Sequence, residues 1–336
     1  MVTLKDISVA TGVSVSTVSK ALKNSYEISD ATIALVNETA SRLGYTRKKR
    51  VRMPAMTIGV TMPEVRSHYY AEFFHALSEE LYRYGYSTIS SVYQNFNEEE
   101  LHVVKNMFKQ KIDGIIICCS EKNSEEISQY VLTSEIPAVL HLESSPPYGI
   151  NSVYIRSDTG IDQAIDHLLE LGHKKIGYLG EYKSDSRYNL FCNSMKQRDM
   201  EVDPRFVKRG SERFENGGYL RAKELLEEKD LPTAIFSSYD QLAYGAMCAF
   251  RENGINVPQD ISIIGFDNIV MDDYYPIPFT TIANPVEQMG TISVKILLDA
   301  IRNPEQFVPQ SIALQSRLII RESTGVPAVS IERKDL

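Results

Sequence analysis

Residues 3–24 read TLKDISVATGVSVSTVSKALKN, two short amphipathic segments separated by a glycine. Thr3 followed three residues later by Asp6 is a helix-start signal, and Leu4, Ile7 and Ala10 recur at helical spacing. This predicts a first helix from about Leu4 to Thr11 with those three residues on its buried face. Gly12 accepts the backbone angles of a tight reversal, and Ser14 is placed to cap a second helix from about Val15 to Leu22. There Val18, Ala21 and Leu22 turn toward the first helix and leave Val15, Ser16, Thr17 and Lys20 outward. A helix of this width enters the major groove of DNA, with its N-terminal residues nearest the base edges and its first amides toward phosphate. The pattern alone also fits a helical hairpin whose serines are solvated.

Charge separates the two readings. The formal net charge of the chain is −8, yet residues 1–52 hold nine Lys/Arg against four Asp/Glu, which puts +5 on the head and −13 on the remainder. A basic head on an acidic body is the distribution expected when only the head meets a polyanion. A third amphipathic helix, about Asp30 to Leu43 and capped by Ser29, is followed by Arg47, Lys48, Lys49, Arg50 and Arg52. That run suits phosphate or minor-groove contact, and equally a solvated linker that orders on DNA.

Residues 2–25 resemble the N-terminal domain of the LacI/GalR family of bacterial transcription repressors: Thr3, Lys5-Asp6-Ile7, Thr11-Gly12-Val13-Ser14, Thr17-Val18-Ser19-Lys20 and Leu22 stand in that family's opening pattern. C-terminal markers extend the resemblance to about residue 325. It implies a small all-α helix-turn-helix domain (1–46), a basic hinge (47–56) and an α/β effector-binding and dimerisation domain (57–325), followed by a tail (326–336). The body is expected to be two-lobed and periplasmic-binding-protein-like, with parallel sheets. The lobes are expected at about 57–160 plus 280–292 and about 161–279 plus 293–325. Operator DNA is then contacted by Thr3, Ser14, Val15, Ser16, Thr17, Ser19, Lys20, Asn24, Arg47, Lys48, Lys49 and Arg50. Lys20 stands where many relatives carry arginine, so its base discrimination is softer. After Leu43-Gly44-Tyr45 the chain lacks the family's hinge-helix pattern and its wedge leucine, so kinking by that wedge is not expected. One head makes too few contacts for selective binding, which implies a homodimer on a near-palindromic operator.

The body alternates strand and helix from Thr57-Ile-Gly-Val-Thr-Met onward, and the rhythm restarts near Asp162. Two similar lobes with parallel sheets follow, with a small-molecule effector between them, outside the carboxyl ends of the strands. Asp267, after the strand Ile261-Ser-Ile-Ile-Gly-Phe, is a carboxylate placed either to accept paired hydroxyls or to form an Asx turn. The resemblance assigns it effector contact. It also assigns Arg187, which is otherwise a surface helix arginine, to the effector. Tyr69 is placed to stack on a sugar face or to pack within its loop. Asp240 is placed as a helix cap first and a ligand neighbour second, and Phe214 completes the set beside Arg213. Arg156 and Arg213 depart from the pattern of monosaccharide sensors, leaving room for an anionic or larger glycoside.

No apolar run approaches a membrane span, and the opening Met-Val-Thr-Leu-Lys-Asp lacks the features of a secretory signal. The expectation is a cytoplasmic protein without membrane partner, and no heptad tail for tetramerisation is visible. Cys118, Cys119, Cys192 and Cys248 lack metal-ligand spacing, and Cys118-Cys119 reads as a strand end with free thiols. No cofactor or metal is implied. The six histidines belong to no nucleophile motif and no phosphate-cradling glycine loop is present, which disfavours an enzyme. A solute-binding protein of sugar uptake would share the body but has no use for the head; a regulator answering a non-sugar effector is the remaining alternative. Gly172-His173-Lys174-Lys175 reads as a helix-to-strand turn with a structural histidine.

Overall fold

A computed structural model describes residues 2–22, 28–45, 54–93, 99–144, 149–182, 185–274 and 276–327. The chain divides into two compact units, Met1–Met53 and Pro54–Leu336.

The first unit contains α1 (Leu4–Thr11), α2 (Val15–Ala21) and α3 (Asp30–Arg42). Gly12 turns the chain in the left-handed region at φ 73°. Ile7, Val18, Ala21, Val36 and Ala40 form the core, with Leu4, Val13, Leu22 and Tyr45 packed around it. Ala10, expected inside, is exposed. So short a helix buries one apolar turn, and Ile7 fills it.

In the second unit, β1 (Thr57–Met62), β2 (Ser87–Val92), β3 (Gly114–Cys118), β4 (Ala138–Leu142), β5 (Ser152–Arg156) and β11 (Ser311–Gln315) make one parallel sheet in the order β11-β5-β4-β3-β1-β2. The second sheet contains β6 (Ile176–Glu181), β7 (Val207–Gly210), β8 (Ala234–Ser237), β9 (Ser262–Asp267), β10 (Thr281–Ala283) and β12 (Arg317–Ile319), in the order β12-β10-β9-β8-β6-β7. Only β12 runs antiparallel to its neighbour there. Central strands such as Gly114-Ile-Ile-Ile-Cys are buried throughout, because helices cover both faces of a parallel sheet. On the first sheet, α4 (His68–Arg83) and α11 (Val286–Arg302) cover one face while α5 (Glu99–Phe108) and α6 (Ser124–Leu132) cover the other. On the second, α9 (Phe214–Leu226) and α10 (Asp240–Glu252) lie opposite α7 (Ser157–Glu170) and α8 (Asp185–Gln197).

The lobe boundaries differ from the expected ones. Strand β10 belongs to the second sheet and β11 to the first, while α11 packs whole against α4, β3, β4 and β5. A division at 292/293 is ruled out by the continuous apolar face of α11. Its Met289, Val294 and Leu297 are fully buried, and a Cβ on Gly114 would meet Leu297 Cδ1 at 2.9 Å. The chain therefore crosses between lobes at Arg156/Ser157, at Asn284-Pro285 and at Ser316. Ser316 Oγ accepts from Gly160 N–H at 3.2 Å and donates to the Arg156 carbonyl at 3.2 Å, fastening two of these crossings.

His173 is structural, as expected: its Nε2 donates to the Gly325 carbonyl at 2.8 Å and its Nδ1 lies 2.9 Å from Thr233 Oγ1. Cys118 and Cys119 are buried, free thiols at the end of β3.

Helices α9 and α10 meet backbone to backbone through two glycines. A Cβ on Gly218 would stand 1.7 Å from the Leu242 carbonyl oxygen, and one on Gly245 1.7 Å from that of Glu215. Gly245→Ala should therefore destabilise the protein by about 1–3 kcal/mol, because backbone on both sides has to move. A urea midpoint equal to wild type would contradict this packing.

Candidate functional sites: the recognition helix and the interlobe cleft

In the first unit, hydroxyl caps fix both helix starts. Thr3 donates its N–H and Oγ1–H to Asp6 Oδ2 at 2.7 and 2.8 Å and receives the Asp6 N–H at 3.4 Å. These side-chain and backbone bonds from Thr3 hold the Asp6 carboxyl below its ordinary range. Ser14 Oγ accepts from Thr17 N–H at 3.1 Å and lies 2.8 Å from the hydroxyls of Ser16 and Thr17. Helix α2 thus presents a hydroxyl-rich N-terminus beside Val15, which is 44% exposed, with Ser16 and Lys20 exposed and Thr17 and Ser19 half-buried. Its other face, Val18 and Ala21, is spent on the core. Asn24, Arg47, Lys48, Lys49 and Arg50 lie outside the described residues.

In the second unit the two sheets face each other across a cavity of about 360 Å³. Each sheet contributes from its topological switch point, where the chain order reverses between β1 and β3 and between β6 and β8. From the first lobe come Glu64, Tyr69, Ser120 and Glu143; from the second, Glu181, Arg187, Arg213, Phe214, Tyr239 and Asp267.

Arg187 is the hub. Its Nη1 donates to the Ser238 carbonyl at 2.6 Å, and its Nη2 lies 3.5 Å from Asp267 Oδ1 and 3.6 Å from Glu143 Oε1. The guanidinium rests on the Phe266 ring with its carbon 4.1 Å from the centroid. Burial opposes its charge, and the two carboxylates outweigh that penalty, so its pKa rises above the ordinary arginine value. Asp267 closes β9 with φ 110° and accepts from Asn284 Nδ2 at 3.1 Å. Burial, opposed by Arg187 and reinforced by Glu143, pushes its carboxyl up to about 7.

Arg213 makes a second, tighter group. Its Nη2 donates to Glu64 Oε1 at 2.6 Å across the cleft, and its Nε to Glu181 Oε2 at 3.0 Å. Tyr239 donates its hydroxyl proton to Glu181 and accepts from the Phe214 N–H at 2.8 Å, which anchors Phe214 at the start of α9. The Phe214 ring is faced by the Arg66 and Arg213 guanidiniums, with their carbons 5.1 and 4.6 Å from its centroid. Ser186 Oγ to Glu143 at 3.2 Å and His68 N–H to Gln241 at 3.4 Å also join the lobes.

Of the expected effector residues, Tyr69, Arg187, Phe214 and Asp267 come together in this cavity. Asp240 does not. It is 1% exposed and accepts from Thr281 Oγ1 at 2.6 Å and Ile269 N–H at 3.3 Å, so it ties β10 to the segment after β9. It is not the cap of α10 either, since Tyr239 holds that position without a side-chain bond. Burial, with Asp272 and Asp267 nearby, raises its pKa far above the carboxylate norm. Tyr69 is half committed: its hydroxyl lies 2.7 Å from Nε2 of His141. Burial lowers the His141 pKa to about 3 and keeps that ring neutral. Arg156 lies away from the cavity wall and pairs with Asp158 at 2.6 Å. Arg213, by contrast, is on the cavity wall and is held by Glu64 and Glu181. Glu64, Ser120, Glu143 and Glu181 were not among the expected residues, although each stands at or just after the carboxyl end of a strand, the position that marked Asp267.

Residues 3–48 match the family model for bacterial regulatory proteins of the lacI family, and residues 165–324 match a periplasmic binding protein-like domain. The HTH-type transcriptional repressor PurR of Haemophilus influenzae (strain PittEE) is 32% identical over 333 residues, spanning 96% of this chain and 98% of the relative. The chain belongs to the lacI family. It is a DNA-binding transcriptional repressor with its effector site in the periplasmic-binding-protein-like domain, and its homologues are repressors, not enzymes. Among solved structures, a LacI family transcriptional regulator from Enterococcus faecium with bound ribose aligns with TM-score 0.70 at 26% identity, covering 80% of this chain and 99% of that one. A dimeric Lac repressor with a C-terminal deletion aligns with TM-score 0.72 at 26% identity, over 81% and 100%. The Lac repressor dimer bound to operator and the anti-inducer ONPF, at 24% identity and TM-score 0.71 over 96% and 99%, shares the fold. No helix among the described residues of this repressor is long and apolar enough to cross a membrane.

The raised carboxyl of Asp267 has a consequence for stability. Its value is about 7 in the folded protein against an ordinary 3.8, so the native state holds the proton more tightly than the unfolded chain. The cost of ionising it is absent below about pH 4, grows between 4 and 7 and is complete above 7, reaching up to about 4 kcal/mol. Asp267→Asn removes this cost. The variant should therefore gain stability relative to wild type between pH 4.5 and 8 in urea unfolding; a difference independent of pH would contradict the assignment.

Proposed function

We propose that this repressor works in the cytoplasm as a homodimer on a near-palindromic operator and is controlled by a small sugar-like effector bound between the lobes of its body. The observation that carries the effector reading is the pairing of Arg187 with Asp267 at strand ends, inside a polar cavity with aromatic rings on its walls. A carboxylate accepts neighbouring hydroxyls in pairs, and a guanidinium donates to ring and hydroxyl oxygens in a fixed fork. The Enterococcus faecium regulator solved with ribose shares this architecture, and a dimeric Lac repressor gives the precedent for assembly. On the DNA side, Val15, Ser16 and Lys20 of α2 select the sequence, with valine suited to a thymine methyl. Effector favours one lobe arrangement and operator-bound heads the other, so ligand releases the repressor.

The full chain should be screened by thermal shift against sugars, glycosides, sugar phosphates and purines. At about 100 times its dissociation constant a true effector stabilises the protein by roughly 2.7 kcal/mol. The expected hit is a sugar or glycoside that is lost in both Asp267→Ala and Arg187→Ala and that lowers operator affinity in fluorescence anisotropy. A purine hit, a hit retained by both variants, or no hit would overturn the sugar reading.

A further inference from the structure

The two arginines on the cavity wall differ in how far their partners satisfy them. Arg213 donates from Nη2 to Glu64 of the first lobe at 2.6 Å, and from Nε to the two oxygens of Glu181 of the second at 3.2 and 3.0 Å. Glu181, 3% exposed, also receives the Tyr239 hydroxyl, which in turn accepts the Phe214 N–H at 2.8 Å. The Phe214 ring is engaged by the Arg66 guanidinium of the first lobe and by that of Arg213 itself. Direct contacts therefore run from one wall to the other at this group.

Arg187 is held more loosely. Among the described residues its one direct hydrogen bond runs from Nη1 to the Ser238 carbonyl at 2.6 Å. Its Nη2 stands 3.5 Å from Asp267 and 3.6 Å from Glu143, whose side chain is 43% exposed. A hydroxyl enters between groups so spaced, accepting from the guanidinium and donating to a carboxylate. The Arg213 group offers no such entry. A neutral sugar ring brings hydroxyls but no positive charge, so it enters there only by parting Arg213 from Glu64 and Glu181. A carboxylate as buried as Glu181 is costly to leave without its cation. The cavity, about 360 Å³, also lies near the lower end of the roughly 300–1,000 Å³ usual for small-molecule sites.

Resting on the reading of the cleft as a sugar site, we infer that Arg213 is a specificity-determining residue: bonded to both walls, it shuts its part of the cavity and restricts the effector to a single sugar ring seated at Arg187 and Asp267. A disaccharide is rejected because its second ring has to displace Arg213 and supplies nothing to neutralise the carboxylates left behind.

Isothermal titration of the full chain compares glucose, galactose, mannose and fructose with cellobiose, maltose, lactose, melibiose, mannobiose and sucrose. One monosaccharide should bind at least about tenfold more tightly than every disaccharide that contains it, the least expected for breaking a largely buried ion pair. Arg213→Ala/Glu181→Gln, which removes the guanidinium together with the carboxylate it would leave unpaired, and Glu64→Gln, which removes the partner across the cleft, should both shrink that preference by admitting the disaccharide. Operator binding in fluorescence anisotropy reports that each variant is folded, and the wild-type comparison decides by itself if one is not. A disaccharide bound as tightly as its parent ring, or a preference unchanged in both folded variants, would overturn the role of Arg213 while leaving the sugar reading intact. No binding of any of these sugars by wild-type protein that still binds operator would overturn both.

Discussion

Two arginines of the second lobe, Arg187 and Arg213, each need a carboxylate from the first lobe as well as one from their own, and the geometry of the cleft follows from that requirement. A buried guanidinium has to be neutralised, and Asp267 and Glu181 alone leave donors facing the opposite wall. Glu143 and Glu64 meet those donors only while the lobes are together. Removing two ions from water offsets most of what their pairing returns, so such bridges orient the lobes without locking them. That balance suits a sensor, whose two arrangements have to lie within reach of the differential binding energy of a small molecule.

The crossings between lobes define how the walls are joined. Three segments connect the sheets, and Ser316 fastens two of them by bonding both the Gly160 amide and the Arg156 carbonyl. A Cβ on Gly160 would lie 2.5 Å from Ile282 Cγ2 and from Ser316 Oγ, so α7 packs closely on β10 and on the crossing at Ser316. The lobes are thereby joined through a packed crossing, with each sheet backed by its own helices.

Much of this was legible in the sequence, for identifiable reasons. The head could be read almost to the residue because caps and reversal are local: Thr3, Gly12, Ser14 and Ser29 each act within one turn of chain. The inner strands were legible as apolar runs bounded by polar residues. Strands β5, β7 and β10 to β12 were not, since they are three to five residues long and gain their identity from distant partners, as β11 does from β5. Helix α11 opens at Pro285 without a side-chain cap, so its start carries no local signal, and its membership of the first lobe is set by packing on α4. In the cleft, Asp267 and Arg187 stood out by motif. Asp240 misled because a carboxylate at the start of a helix reads as a cap or a ligand, and sequence does not reveal that Thr281, forty-one residues away, satisfies it.

The dependence of the closed cleft on the first lobe's carboxylates is most directly tested by small-angle X-ray scattering of the effector-free chain beside its Glu64→Ala/Glu143→Ala variant. With both cross-cleft partners removed, the guanidiniums lose the carboxylates that meet them from the first lobe and the lobes should part, giving the variant a larger radius of gyration. Superimposable profiles would show that closure is held by something other than these ion pairs and would contradict the central role given to them here.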